Sequence, residues 1–270
     1  MRGASRVSLA ACREQLAAAI DDGADADRLG DELFAITRLL DRQGAVRRAL
    51  SDPSRPAEAR ADLAHALLDG KVSPAAADLT AEAARQRWSA PGDQPDAIAQ
   101  LGVIALVTSA EAAGKLDDLE DQLFRFGRIV SANPSLRLAL SSPFLAAERK
   151  QQLLDALLKR KAIKQTLQLV TQSATEPRGR SLDANLEEFA RLAAERRERL
   201  VAEVHVAAPL TPRQRTRLAA ALASAYGHDV HLNIVIDPQV LGGLSIRVGE
   251  ELIDGSTASR LAELRRRMAA

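Results

Sequence analysis

The residues that most suggest chemistry lie together in IDPQVLGGLSIRVGEELIDGS (residues 236–256), where two adjacent glycines, a third glycine and two Asp-led turns separate short runs of Val, Ile and Leu. A phosphate-cradling loop needs its glycines followed by Lys and then Ser or Thr, so that backbone N–H groups and an ammonium reach the phosphates together. Gly242 and Gly243 have no such follower, and Gly114-Lys115 runs into Leu116. A dinucleotide fingerprint is missing as well. His228 and His231 stand three apart, which on an extended strand sends them to opposite faces, and no Cys or third His completes a metal set. DDGADAD (residues 21–27) has Gly23 where a calcium loop would place a ligand, and an acidic turn ahead of a helix fits it better. Ser256 has no base beside it in sequence, while a helix N-cap accounts for the hydroxyl. The glycines therefore read as backbone devices, for close approach, a bulge and a tight hairpin. No cofactor and no bound metal is expected.

Composition supports that restraint. The 270 residues are 46% hydrophobic and 27% charged with a formal net charge of +1, which is globular and leaves no uncompensated field for nucleic acid. Aromatics at 3% offer few platforms for base stacking. One cysteine, Cys12, cannot form an internal disulfide, so a reducing compartment is the natural reading. LAAC (residues 9–12) has the look of a lipoprotein cleavage box, yet the five residues between Arg6 and Cys12 are too few for a signal core. No uncharged apolar run approaches the roughly 18 residues of a membrane span, and a soluble chain is expected.

The elements that position these residues emerge when the chain is slid along itself by 90 residues. DELFAITRLLDRQGAVRRALSDP (residues 31–53) then lies on DQLFRFGRIVSANPSLRLALSSP (residues 121–143) without a gap, and 16 of 41 positions match between residues 31–71 and 121–161. About one in ten would match in so biased a composition, so the chain contains an internal duplication. Leu29, Leu33, Ile36 and Leu40 form one helical stripe; Leu116, Leu119, Leu123, Phe126 and Val130 form another. Pro53 and Pro143 stop the short helices before them. Further helices are predicted at 57–69, 74–87, 146–159, 162–174 and 182–200, with Ser73-Pro74 as an N-cap and first helical residue.

From Val201 the period changes. VAEVHV and VHLNIVI suit strands, Thr211-Pro212 opens a helix between them, and Gly227 can close it. Leu244, Ile246 and Val248 face one way, Gly249-Glu250 turns the chain into LID, and Ser256 caps a last helix. The expected order is β, α, β, β, β, α. The fold is thus mostly α: two repeated helical-bundle units, residues 1–95 and 96–200, followed by a small mixed α+β domain at 201–270.

DPQVLGGLSIRVGEELIDGSTASRLAELRRRM resembles the C-terminal signature of the delta subunit of bacterial F-type ATP synthases, the counterpart of the mitochondrial oligomycin-sensitivity-conferring protein. GKLDDLEDQL, ANPSLRLALSSPFLAAERKQQLLDALL and VHVAAPLTPRQRTRLAAAL are similar to that family in the same order, so the resemblance spans about residues 96–270. It implies a non-catalytic stator subunit of a proton-translocating synthase. A helical domain would hold the N-terminal helices of the alpha subunits of the catalytic head, and the C-terminal domain would grip the peripheral-stalk b subunit on the cytoplasmic face of the plasma membrane. Asp237, Pro238, Gly242, Gly243, Arg247, Gly249, Asp254, Gly255 and Ser256 would then shape the stalk-facing module. The first 95 residues depart from the family pattern as an extra copy of the helical unit, which leaves open which copy holds an alpha-subunit helix. Two other classes stand beside this reading: a helical adaptor unrelated to energy coupling, and an enzyme using His205, His228 or Ser256, for which no converging acid, base and nucleophile can be placed.

Residues 96–114 sit where the two copies meet, and one helix can serve both. Ile98, Leu101, Val103, Ile104, Leu106 and Val107 cover nearly its whole circumference, which requires burial on more than one side. Either it is the central core helix of a fused bundle, or one side is left as a groove for an alpha-subunit helix. The groove would be lined by Ile98, Leu101, Ile104 and Val107 with Ile163, Leu167 and Val170.

Overall fold

A computed structural model describes residues 3–197, 200–226, 230–237, 244–248 and 251–254. The chain divides into two compact units, residues 1–194 and 195–270. The first holds helices α1 (Ala4–Asp21), α2 (Ala26–Arg42), α3 (Gly44–Ser51), α4 (Ala57–Leu68), α5 (Pro74–Arg85), α6 (Asp93–Ala112), α7 (Leu116–Ala132), α8 (Pro134–Ser141), α9 (Ala147–Leu158) and α10 (Lys164–Thr175), and α11 (Leu182–Arg197) runs out of it. Every boundary of α2 to α5 recurs 90 residues later in α7 to α10, so the duplication is structural as well as textual. LAAC lies inside α1, a helix that the sequence reading did not mark.

Local chemistry sets these ends. The Asp25 carboxylate accepts from the backbone N–H groups of Asp27 (3.0 Å) and Arg28 (3.2 Å), and the Ser73 hydroxyl accepts from that of Ala76 ahead of Pro74. α3 and α8 each stop two residues short of a proline, as that residue's missing donor dictates.

The helices enclose two cores. Leu16, Leu29, Leu33, Leu40 and Leu79 belong to the first, and Leu119, Leu123, Phe126, Val130 and Leu169 to the second. α6 serves both: Ile98, Leu101 and Ala105 face the first, and Val103, Leu106, Val107 and Ala110 the second. In repeat order α6 is the sixth helix of one copy and the first of the next, which explains an apolar surface all round. At roughly 1.5–3 kcal/mol for each large apolar side chain removed from water, the shared helix binds the copies strongly.

The second unit carries β1 (Leu200–Val206), α12 (Pro212–Tyr226), β2 (Val230–Ile236), β3 (Leu244–Val248) and β4 (Glu251–Asp254). The strand order is β2-β1-β3-β4, with β1 and β2 parallel and the remaining pairs antiparallel. α12 is the crossover that parallel strands require. Its first turn is a capping box: Gln214 Oε1 accepts from the Thr211 N–H (2.8 Å), and the Thr211 hydroxyl accepts from the Gln214 N–H (3.4 Å). Leu218, Leu222 and Tyr226 recur every fourth residue and pack with Val204, Val206, Val230, Ile234, Leu244 and Ile246 into one small core. The mostly α architecture with a small α+β part agrees with the sequence reading, while the last expected helix, after Ser256, lies outside the described residues.

Candidate partner-binding surfaces

The seven side chains expected to line a groove are packed inside the helical unit. Ile98 and Leu101 are fully buried in the first core, Val107 and Val170 in the second, and Ile104, Ile163 and Leu167 are half-buried against these cores. The cover is α2. It crosses α6 tightly, where a Cβ on Gly102 would stand 2.9 Å from Phe34 Cε1 and a Cβ on Gly30 would stand 2.7 Å from Leu106. Two helices can approach this far only where both lack a side chain.

α2 also runs beside α10, tied at positions 137 residues apart in sequence. Lys164 pairs with Asp27, and Gln168 Nε2 donates to Asp31 Oδ2 at 2.9 Å. At the same spacing Arg178, just past α10, pairs with Asp41, and its other arm reaches Asp96 of α6 at 2.8 Å. Burial raises the Asp31 carboxyl above its ordinary value, a shift that its bond from Gln168 opposes. For Arg178 burial works toward a lower value, but the bonds to Asp41 and Asp96 outweigh it and hold the guanidinium above the usual range. Thus α2 lies over the α6–α10 side of the second copy. In sequence these acids and bases read as solvated helix faces, and nothing local paired them.

Two buried cations also escaped the sequence reading. Arg60 on α4 donates to the carbonyls of Arg85 (3.0 Å) and Gln86 (3.0 Å), and Lys150 on α9 donates to the Ala174 carbonyl (2.8 Å). They occupy the same repeat position and seal the C-terminal ends of α5 and α10, where the helix dipole favours positive charge. Burial pushes both cations below their ordinary values. At the opposite ends, Glu32 accepts from the Ser73 N–H (3.0 Å), and Gln122, its counterpart, accepts from the Ile163 N–H (3.0 Å). The 90-residue alignment was the signal that could have found these pairs. Each holds a helix in place, and the hydroxyls that Glu32 and Gln122 also accept from, Ser73 and Thr166, belong to the same helix starts. Cys12 is buried, and desolvation, with Glu82 adding to it, pushes its thiol up to about 12, far from a reactive thiolate.

In the second unit, Asp237 directly follows β2; its N–H donates to the Val206 carbonyl (2.9 Å), and its carboxylate lies 3.6 Å from His205 Nδ1. Arg247 is exposed on the sheet face opposite Ile246 and α12. Asp254 ends β4 and pairs with Ser245 across the ladder. The other six residues of the expected stalk-facing module, Pro238, Gly242, Gly243, Gly249, Gly255 and Ser256, lie outside the described residues, as does His228. Among the described residues no group of three His, Cys, Asp or Glu side chains could hold a metal ion, and no helix is long and apolar enough to cross a membrane.

Comparison with known proteins matches residues 103–268 to the ATP synthase delta (OSCP) subunit family, a span that begins within α6. The chain is 51% identical over 268 residues to ATP synthase subunit delta of Streptomyces avermitilis, covering 99% of this chain and 98% of that one. It is 50% identical over 270 residues to the Streptomyces coelicolor subunit (100% and 98% covered) and 45% identical over 272 residues to that of Thermobifida fusca (100% of each). The first helical copy, which precedes the family match, is therefore shared with these relatives. A chain of the Toxoplasma gondii mitochondrial ATP synthase hexamer is 25% identical, with 62% of this chain and 95% of that one covered, and its TM-score of 0.27 leaves that likeness at the level of sequence. Matched through the second helical copy and the sheet by the family, and from end to end by delta subunits, this chain belongs to the ATP synthase delta (OSCP) subunit family.

Proposed function

We propose that the chain is a non-catalytic stator subunit of a rotary proton-translocating ATP synthase, tying the alpha subunits of the catalytic head to the peripheral-stalk b subunit at the cytoplasmic face of the bacterial plasma membrane. The observation that carries this reading is the end-to-end match to ATP synthase delta subunits. A tie that resists torque needs stiff packing rather than acids, bases or metals, and two cores fused through α6 supply it. The nine residues from Asp237 to Ser256 named above form the surface for the b subunit.

The alpha-subunit helix docks on the first copy, along α1 and α5. α2 already lies over the corresponding α6–α10 side of the second copy, whereas Val7 on α1 is 73% exposed and Ala97, its counterpart on α6, is fully buried. An amphipathic helix laid against an exposed apolar helix face is a standard recognition mode. Affinity capture of the tagged chain from bacterial membranes tests the reading. Head and stalk subunits together are the expected catch, and Val7→Asp should lose alpha while keeping the stalk. Capture of other proteins alone would favour the helical adaptor; alpha retained by Val7→Asp would refute the first-copy assignment while leaving the stator role standing.

A further inference from the structure

The duplication leaves one of its own contacts unmade. On α2, Asp27, Asp31 and Phe34 form a stripe that the second copy covers: Asp27 pairs with Lys164, Asp31 accepts from Gln168 at 2.9 Å, and Phe34, 3% exposed, packs with the second core. Ninety residues on, α7 repeats the stripe residue for residue as Asp117, Asp121 and Phe124. Spacings of four and three residues keep each trio on one helix face. After α11 the chain turns to the small sheet instead of a third helical copy, and Phe124 is 61% exposed, with both carboxylates exposed beside it. Asp121 pairs with Arg125 at 2.9 Å, where the first copy has Ala35. Both members of that pair are exposed, and a surface pair of this kind contributes so little that a partner can exchange it.

The covered stripe tells what the bare one fits. Its complement on α10 is a cation, Lys164, and one turn further a neutral donor, Gln168, next to apolar side chains of the second core. A second copy of this chain cannot supply that complement by continuing the repeat. The first copy has Pro74 in the place of Lys164 and Asp78 in the place of Gln168, so Asp78 would face Asp121 and repel it. The acidic stripe thus selects a foreign surface of positive charge and opposes stacking of the chain on itself.

We infer that the Asp117, Asp121 and Phe124 stripe of α7 docks a basic amphipathic helix of a partner protein, with Lys or Arg opposite Asp117, a hydrogen-bond donor one turn further opposite Asp121, and Phe124 seated among its apolar side chains. This surface is separate from the α1 and α5 face, and the inference does not rest on the stator reading, because the partner is identified by its own sequence. Phe124→p-benzoylphenylalanine in the full chain, photolysed in bacteria that produce it, tests the surface, with the joined peptide sequenced by mass spectrometry. The expected product joins position 124 to an amphipathic segment that carries Lys or Arg and a donor four residues on. Adding Asp117→Lys and Asp121→Lys together should cut its yield by at least about tenfold, because like charges then meet across the contact. Glu148→Lys, an exposed acid on α9, should leave the yield unchanged. Each variant is first checked for native circular dichroism. The inference is overturned by the absence of a joined partner, by a second copy of this chain or an acidic segment in that place, by a yield that survives the charge reversal, or by an equal loss in Glu148→Lys.

Discussion

Gly102→Ala tests the crossing on which the fusion of the two copies depends. The added Cβ would lie 2.9 Å from Phe34 Cε1 and 3.2 Å from the Gly30 carbonyl oxygen. The oxygen is backbone and cannot swing aside, and Phe34, at 3% exposure, packs with the second core. Either α2 retreats or Phe34 leaves its rotamer. Overpacking of this kind costs about 1–3 kcal/mol, while alanine gains about 0.8–1.0 kcal/mol over glycine within a helix. The balance is a net loss of up to about 2 kcal/mol, and at an unconstrained helix position the sign would be reversed. Urea unfolding followed by circular dichroism measures it. A double-mutant cycle with Phe34→Leu isolates the cause, because shortening the ring relieves the clash; the pair should cost less than the sum of the single changes by at least about 0.5 kcal/mol. If Gly102→Ala proves more stable than the parent chain and shows no coupling to Phe34→Leu, the close crossing is not what joins the copies.

Lys150→Met removes the charged donor from the Ala174 carbonyl and should cost about 1.5–3 kcal/mol by chemical denaturation, less whatever is regained by no longer burying an ammonium. Because burial lowers the Lys150 value below 10.5, the folded chain holds that proton less tightly than the unfolded one, so the Lys150 contribution to stability rises with pH through the window below 10.5. Unfolding midpoints at about pH 8 and about pH 10 should therefore converge in Lys150→Met relative to the parent, and an unaltered pH dependence would count against a buried cation there. Cys12, fully buried with its thiol pushed up to about 12, should resist iodoacetamide at neutral pH in the native chain and react once it unfolds; rapid native labelling would place the thiol at the surface.

Much of the fold was legible because its determinants are local. The stripes Leu29-Leu33-Ile36-Leu40 and Leu119-Leu123-Phe126-Val130 reappear as buried faces, Ser73-Pro74 opens a helix, and the prolines at 53 and 143 end theirs. The 90-residue offset in the sequence alone aligns the two copies. α1 went unmarked because its alanine-rich surface blurs the stripe formed by Leu9, Cys12 and Leu16. Arg60 and Lys150 aligned in register, but a cation on an amphipathic helix reads as solvated until the carbonyls it reaches are known.

What the sequence alone determined is which surfaces must be covered: a helix apolar all round, residues 96–114, demands burial on two sides, whatever covers them. Only the tertiary structure decided what those covers are. It closed the expected α6–α10 groove with α2, brought Asp27, Asp31 and Asp41 to partners 137 residues away, and placed β1 at the inside of its sheet. The physical reason is range. Helical periodicity, caps and proline stops act within a turn or two of chain, whereas the choice between a free groove and a filled one rests on a contact between Gly30 and Gly102, far apart in sequence, where two missing side chains let the backbones meet.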